Sequence, residues 1–244
     1  MADPEVIICR DVANLAERAA EIFVVLAGQA EGATGRVSVA LSGGSTPKSF
    51  YALLSSSRYR DRIPWTRIHL FWGDERCVPP DHTESNYRMV REVLLSKIAI
   101  PAENVHRMAG EKEPDIAAAE YEAELKRFFR LSSGALPRFD LILLGLGEDG
   151  HTASLFPGSE ALKQTKRLVT ACYVTKLKSH RLTLTFSVLN AGAVVIFLVA
   201  GKNKAPIVRE VLKAKAASLP AGKVKPVDGR LIWFIDLEAA AELT

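Results

Sequence analysis

The sequence predicts an α/β fold, a three-layer α/β/α sandwich around a mostly parallel sheet. Three observations carry this. Four short runs, Val37–Leu41, Ile68–Trp72, Leu141–Leu144 and Val194–Val199, are almost wholly apolar, as strands buried on both faces of a parallel sheet must be. Segments with helical spacing of apolar residues lie between them, so strand and helix alternate along the chain. Polar loops, rich in glycine or charge, follow three of the runs, at the end where open α/β sheets bind ligands. No linker of convincing length and no repeat interrupts the pattern, so residues 1–244 are expected to form one domain.

Taken in order, residues 6–9 read as a short strand. Leu15, Ala19, Ile22, Phe23 and Leu26 then mark one helical face, which Gly28 and the EGATG segment end. The strand Val37–Leu41 runs into Ser42-Gly43-Gly44-Ser45-Thr46-Pro47. Thr46 and Pro47 are start signals for a helix through Phe50, Leu53 and Leu54. Ile68–Trp72 ends in a polar loop, Gly73-Asp74-Glu75-Arg76. Asn86 is expected to cap a helix whose inner face is Tyr87, Val90, Leu94 and Ile98. Residues 105–108 suit a short strand, and 115–130 a helix with Leu125, Phe128 and Phe129 inward. Strands are expected at 168–174 and 180–186. In the second, Leu182, Leu184 and Phe186 alternate with Arg181, Thr183 and Thr185, which predicts one wetter face. Residues 187–190 make a turn or short helix, and Val194–Val199 the most buried strand. Gly201 to Lys204 opens a helix with Ile207, Val208, Val211 and Leu212 on one side. A last strand at 231–235 precedes a helical end.

Composition narrows the function. The formal charge of +4 is mild. The one basic stretch holds Lys202, Lys204, Arg209, Lys213, Lys215, Lys223 and Lys225. It reads as a solvated helix face with a loop, because a nucleic-acid footprint needs a denser patch with aromatics. No nucleic-acid partner is expected, whereas a modest positive field suits a small anionic substrate. Cys9, Cys77 and Cys172 lie far apart with no C-x-x-C, which points to reduced thiols and a cytoplasmic location. MADPEV lacks the basic and apolar regions of a signal peptide, and the apolar run at 193–200 is too short to span a bilayer. No membrane association is expected.

Three loops carry the candidate chemistry. Gly43 and Gly44 let backbone N–H groups converge into an anion-binding nest at a helix N-terminus, with the hydroxyls of Ser42, Ser45 and Thr46 as further donors. The same composition also suits an ordinary strand-to-helix turn; five donor-bearing or glycine positions in a row favour phosphate. The second loop, Gly73 to Arg76, puts three charges at the end of a core strand, which is expensive unless they are paired or solvated in a cleft. The third, after Leu144, holds Gly145, Gly147, Glu148, Asp149, Gly150 and His151. Its glycines match the dinucleotide pattern, but two acids would oppose a pyrophosphate and the acid about 20 residues on is missing, so no nicotinamide is expected. The His and Cys positions lack metal-ligand spacing, and no G-x-S-x-G elbow is present. What remains is general acid–base chemistry on a phosphorylated small molecule, centred on His151.

The segments LSGGSTP, FWGDERCVPPDHTESNYRM, FDLILLGLGEDGHTASLFPG and HRLTLTFSVLNAG resemble the 6-phosphogluconolactonase family in order and spacing, over most of the chain. The resemblance implies a Rossmann-like sheet shared with glucosamine-6-phosphate deaminase. It also implies cofactor-free hydrolysis of 6-phospho-D-glucono-1,5-lactone to 6-phosphogluconate in the oxidative pentose phosphate pathway. By position, His151 would be the general base, oriented by Asp149 or Asp74. Ser42, Gly43, Gly44, Ser45 and Thr46 would cradle the phosphate, and Arg181 and Lys204 would supply basic contacts. Asp74 and Arg76 would line the sugar site, with Asn86 and Arg88 weaker candidates of the same kind. Lys202 competes with Lys204 but reads better as a solvated lysine. A monomer or weak homo-oligomer is expected. The deaminases of the same group carry a Glu five residues after the loop His. Here Phe156 stands there, and a phenyl ring cannot transfer protons. A sugar-phosphate sensor is the other rival, but no DNA-binding helix pair is evident before Val6 or after Leu237.

Overall fold

The structure, a computed structural model, describes residues 4–28, 35–213 and 218–243. The EGATG segment as far as residue 34, residues 1–3 of MADPEV and Lys215 lie outside these. In chain order the elements are β1 (Glu5–Cys9), α1 (Val12–Gly28), β2 (Val37–Leu41), α2 (Ser45–Leu54), α3 (Ser57–Arg60), β3 (Ile68–Trp72), β4 (Asp74–Arg76), α4 (Asn86–Val93), β5 (Val105–His106) and α5 (Pro114–Phe128). There follow β6 (Leu141–Leu144), β7 (Val169–Val174), β8 (Ser179–Leu184), α6 (Phe186–Leu189), β9 (Val194–Val199), α7 (Ala205–Lys213) and β10 (Arg230–Asp236).

Seven strands form one parallel sheet in the order β1-β10-β9-β6-β2-β3-β5. Helices cover it in a three-layer α/β/α arrangement. The apolar runs are buried along their whole length in β2, β6 and β9, because both faces of each strand meet other side chains. Chain order moves outward from β2 to β3 on one side and from β6 through β9 to β10 on the other. The topological switch therefore falls between β2 and β6, where such sheets open a crevice beyond their carboxyl ends. Among the described residues, no helix is long and apolar enough to cross a membrane.

Five local expectations need correcting. Residues 74–76 are not loop: they form β4, which pairs antiparallel with β8, and β8 pairs antiparallel with β7. The strands at 169–184 thus leave the main sheet for a small second one. The expected wet face of β8 is dry: Arg181 and Thr183 are buried along with Leu182 and Leu184, Thr183 beneath the loop after His151 and Arg181 between its ladder partners Arg76 and Cys172. Ser85, not Asn86, caps α4 by accepting from the Arg88 N–H. Thr46 lies inside α2, which Gly44 caps without any side-chain bond. The chain after β10 makes turns rather than a helix: Asp236 accepts from the Ala239 N–H through Oδ1, and one four-residue backbone bond, Ala240 to Asp236, is followed by two three-residue ones.

Candidate active site

The carboxyl ends of β2, β6 and β9 open into a cavity of about 230 Å³, somewhat below the roughly 300–1,000 Å³ of drug-sized ligand pockets. The loop after β2 gives Ser42, Gly43, Gly44, Ser45 and Thr46; β4 gives Asp74 and Arg76; α4 gives Asn86. The loop after β6 gives Gly145, Leu146, Gly147, His151 and Ala153, and the turn before α7 gives Lys204.

The cradle is fixed from within. Ser42 lies at the end of β2, and the buried Tyr51 hydroxyl reaches back from α2 to clamp it. That hydroxyl donates to the Ser42 carbonyl at 2.8 Å and accepts from the Ser42 N–H at 3.0 Å. Gly44 has φ of 107° and ψ of 167°, a conformation open only to glycine. A Cβ on Gly43 would overlap the Asn86 amide, so this glycine is required for close approach. Without a side-chain cap, the first N–H groups of α2 are left for a ligand, with the positive end of the helix behind them. The buried Ser42 Oγ has no hydrogen-bond partner among the described residues, which leaves it able to donate into the cavity.

β4 and α4 make the second wall. The Glu75 carboxylate is buried and accepts from the N–H groups of Arg76, Asn86 and Tyr87, each at 2.7 Å, and from the Ser85 hydroxyl at 3.1 Å. Burial pushes its pKa up, against those three N–H bonds. It ties β4 to the start of α4. The Asn86 side chain is thereby free to donate to the Asp74 carbonyl at 3.0 Å and to pack against Gly43. Asp74 accepts from the Ser154 hydroxyl at 2.7 Å. The strand-end charges are therefore satisfied largely by hydrogen bonds and not by an ion pair; Arg76 itself donates to the Glu84 carbonyl at 2.7 Å.

His151 stands opposite. Asp149 Oδ1 lies 2.5 Å from its Nδ1. A carboxylate only accepts, so Nδ1 is the nitrogen that donates here, and in the neutral ring Nε2 is the one with the lone pair. Burial would raise the Asp149 pKa, but the hydrogen bond and charge of His151, with Lys176 3.8 Å behind, hold it below the usual value. Thus Asp149, and not Asp74, partners the imidazole. The loop is pinned from outside by Asn203, which donates to Glu148 at 2.6 Å, and by the Ala221 N–H, which donates to the Gly150 carbonyl at 3.0 Å.

Two expected contacts do not reach the cavity wall. Arg181 is buried behind it, directly across the ladder from Arg76, with its Nη1 unpartnered. Arg88 is turned to Glu92 and the Asp81 carbonyl. Lys202 is likewise absent from the lining, while Lys204 is present. Sequence reasoning did not single out Tyr51, Ser154 or Lys176. None of these stands in a pattern that separates a supporting residue from an ordinary core or surface one.

A parallel α/β sheet that brings a glycine-rich helix start and a carboxylate-held imidazole to one crevice holds the parts that proton transfer on a small phosphorylated molecule requires. Residues 10–233 match the family described as glucosamine-6-phosphate isomerases/6-phosphogluconolactonase, and the chain belongs to that family. It is 44% identical to a 6-phosphogluconolactonase of a Nostoc species over 86% of each chain. It is 42% identical to that of a Synechocystis species over 98% of each. The solved 6-phosphogluconolactonase of Trypanosoma cruzi superposes with a TM-score of 0.86 at 31% identity, over 99% of this chain and 97% of that one.

Proposed function

We propose that this enzyme hydrolyses 6-phospho-D-glucono-1,5-lactone to 6-phospho-D-gluconate, the lactonase step of the oxidative pentose phosphate pathway, by His151-activated attack of water. The observation that carries the reading is the placement of His151, held at Nδ1 by Asp149, on the same cavity as the Gly43–Gly44 cradle. The 6-phosphate sits on the N–H groups of the cradle with Lys204 beside it. His151 Nε2 takes a proton from water, and the hydroxide adds to the lactone carbonyl carbon. Arg76 and the N–H groups of the glycine turns are the donors available to the resulting oxyanion. The tetrahedral adduct collapses by breaking the bond to the ring oxygen, which takes the proton back from His151. No covalent enzyme intermediate is needed, because the leaving group stays tethered. Asp74 lines the sugar site, and Arg181, the ladder partner of Arg76, adds positive charge to that wall without reaching the cavity. The enzyme acts as a single domain in the cytoplasm, as a monomer or weak homo-oligomer; its free cysteines suit that compartment.

Phe156 disfavours the deamination carried out by the other branch of the family. The test is direct. Purified protein should accelerate lactone hydrolysis above the spontaneous rate and release no ammonia from glucosamine 6-phosphate. Ammonia release without lactone hydrolysis would reverse the assignment.

A further inference from the structure

The His151 imidazole touches three groups, of which only Asp149 has a place in the reaction above. Gly147 lies so near that a Cβ there would overlap the ring. The third is the phenyl ring of Phe156, stacked on the imidazole with centroids 4.1 Å apart and planes at 26°. A tight turn builds this stack. The Leu155 N–H donates to the Thr152 carbonyl at 2.9 Å, and Ala153 takes φ of 47°, where non-glycine residues are uncommon. The turn is fastened on all sides. The Thr152 hydroxyl donates to the Gly145 carbonyl, the Ser154 N–H to the Thr183 hydroxyl, and the Ser154 hydroxyl to Asp74. The chain therefore leaves His151, reverses, and lays residue 156 back on the imidazole.

We propose that Phe156 is a positioning residue for the reaction. Its ring fixes the plane of His151, and its π-face stabilises the positive charge that the imidazole acquires on taking the proton from water. The proposal rests on the reading of His151 as the base. An aromatic face attracts a cation whose centre lies within about 6 Å of the ring centroid. The charge exists only once the proton has moved, so the attraction is larger in the transition state than in the ground state and acts on kcat. Phe156 is not among the residues that line the cavity, so its contact with the site runs through the imidazole. The other charged groups around the imidazole come from every neighbouring segment. They are Asp149 and, behind it, Lys176 from the β7–β8 connection; Asp74 and Arg76 from β4; Lys204 before α7; and Glu148, held aside by Asn203. A change at Phe156 alters none of them.

The experiment compares Phe156→Leu, Phe156→Tyr and His151→Asn with the wild type. It measures kcat, KM and the pH profile of kcat/KM for lactone hydrolysis, with the spontaneous rate subtracted. Leucine excludes water as phenylalanine does but has no π-face. Phe156→Leu is expected to lower kcat by roughly 2–30-fold, to leave KM within about two-fold, and to move the acid limb of the profile to lower pH. Phe156→Tyr keeps the face and should stay near wild type. If Phe156→Leu keeps kcat and the acid limb, or loses kcat with no shift of that limb, the stacking proposal is overturned. It is overturned equally if Phe156→Tyr falls as far as Phe156→Leu. His151→Asn separates the two claims: near-wild-type turnover there would remove the base assignment itself, whatever Phe156 does.

Discussion

At the scale of single residues the site depends on how closely His151 is held. Asp149 sets its tautomer and Gly147 leaves room for its ring. Gly147→Ala would drive a Cβ into the imidazole, which must then swing away from Asp149. Turnover should fall by about 10²–10⁴, the usual loss of a placed general base, while thermal stability changes little. A thermal melt and steady-state kinetics on one preparation check both halves. His151 was legible in the sequence because two acids and three glycines surround it directly after a buried strand. Its partner was not, because sequence spacing does not say which carboxylate reaches Nδ1. The geometry decides it, since Asp74 is taken up by Ser154 and Asn86. Gly147 was visible only as part of a nucleotide-binding decoy. What it does in the structure is leave room for the imidazole, a close approach that no motif encodes.

At the scale of elements, two helix starts shape the cavity. The start of α2 has no side-chain cap, and Gly44 is held where an L side chain is strained. If the cradle takes the phosphate as proposed, Gly44→Ala is expected to raise KM for the phosphorylated lactone much more than for unphosphorylated gluconolactone. Equal effects on both substrates would count against the cradle. The start of α4 is closed by Glu75 instead. Glu75→Ala would strip the acceptor from three buried or half-buried N–H groups and a buried hydroxyl. Urea denaturation should show a loss of about 2–4 kcal/mol. The α2 start could be read from its glycines, serines and proline. The α4 start misled, because Asn86 is as good a cap by type as Ser85; only the pull of Glu75 on the Asn86 N–H shows which one caps.

At the scale of the whole molecule the parallel sheet was legible, since runs as apolar as Val194–Val199 have few other homes. The second sheet was not. β4 is three residues long, and all three are charged. Its pairing with β8, more than 100 positions away, is a tertiary fact. At the far edge of the main sheet, β3 and β5 bring His69 and His106 within 3.1 Å, and His106 bonds Glu124 of α5. Burial, then the nearby His106 and Arg36 charges, push the His69 pKa from 6.5 down to about 4. Across that window the unfolded chain binds the proton and the folded one resists it, so stability rises with pH and is lost on acidification. The urea midpoint should therefore fall from pH 6.5 toward pH 4, and His69→Gln should flatten that fall.

The account turns on His151 as the base within reach of the cradled lactone. Its most direct test is the kcat of His151→Asn on 6-phosphoglucono-1,5-lactone with the spontaneous rate subtracted. The expected result is a fall of about 10²–10⁴ with KM within a few-fold of wild type. A variant that turns over as fast as the wild type would contradict it.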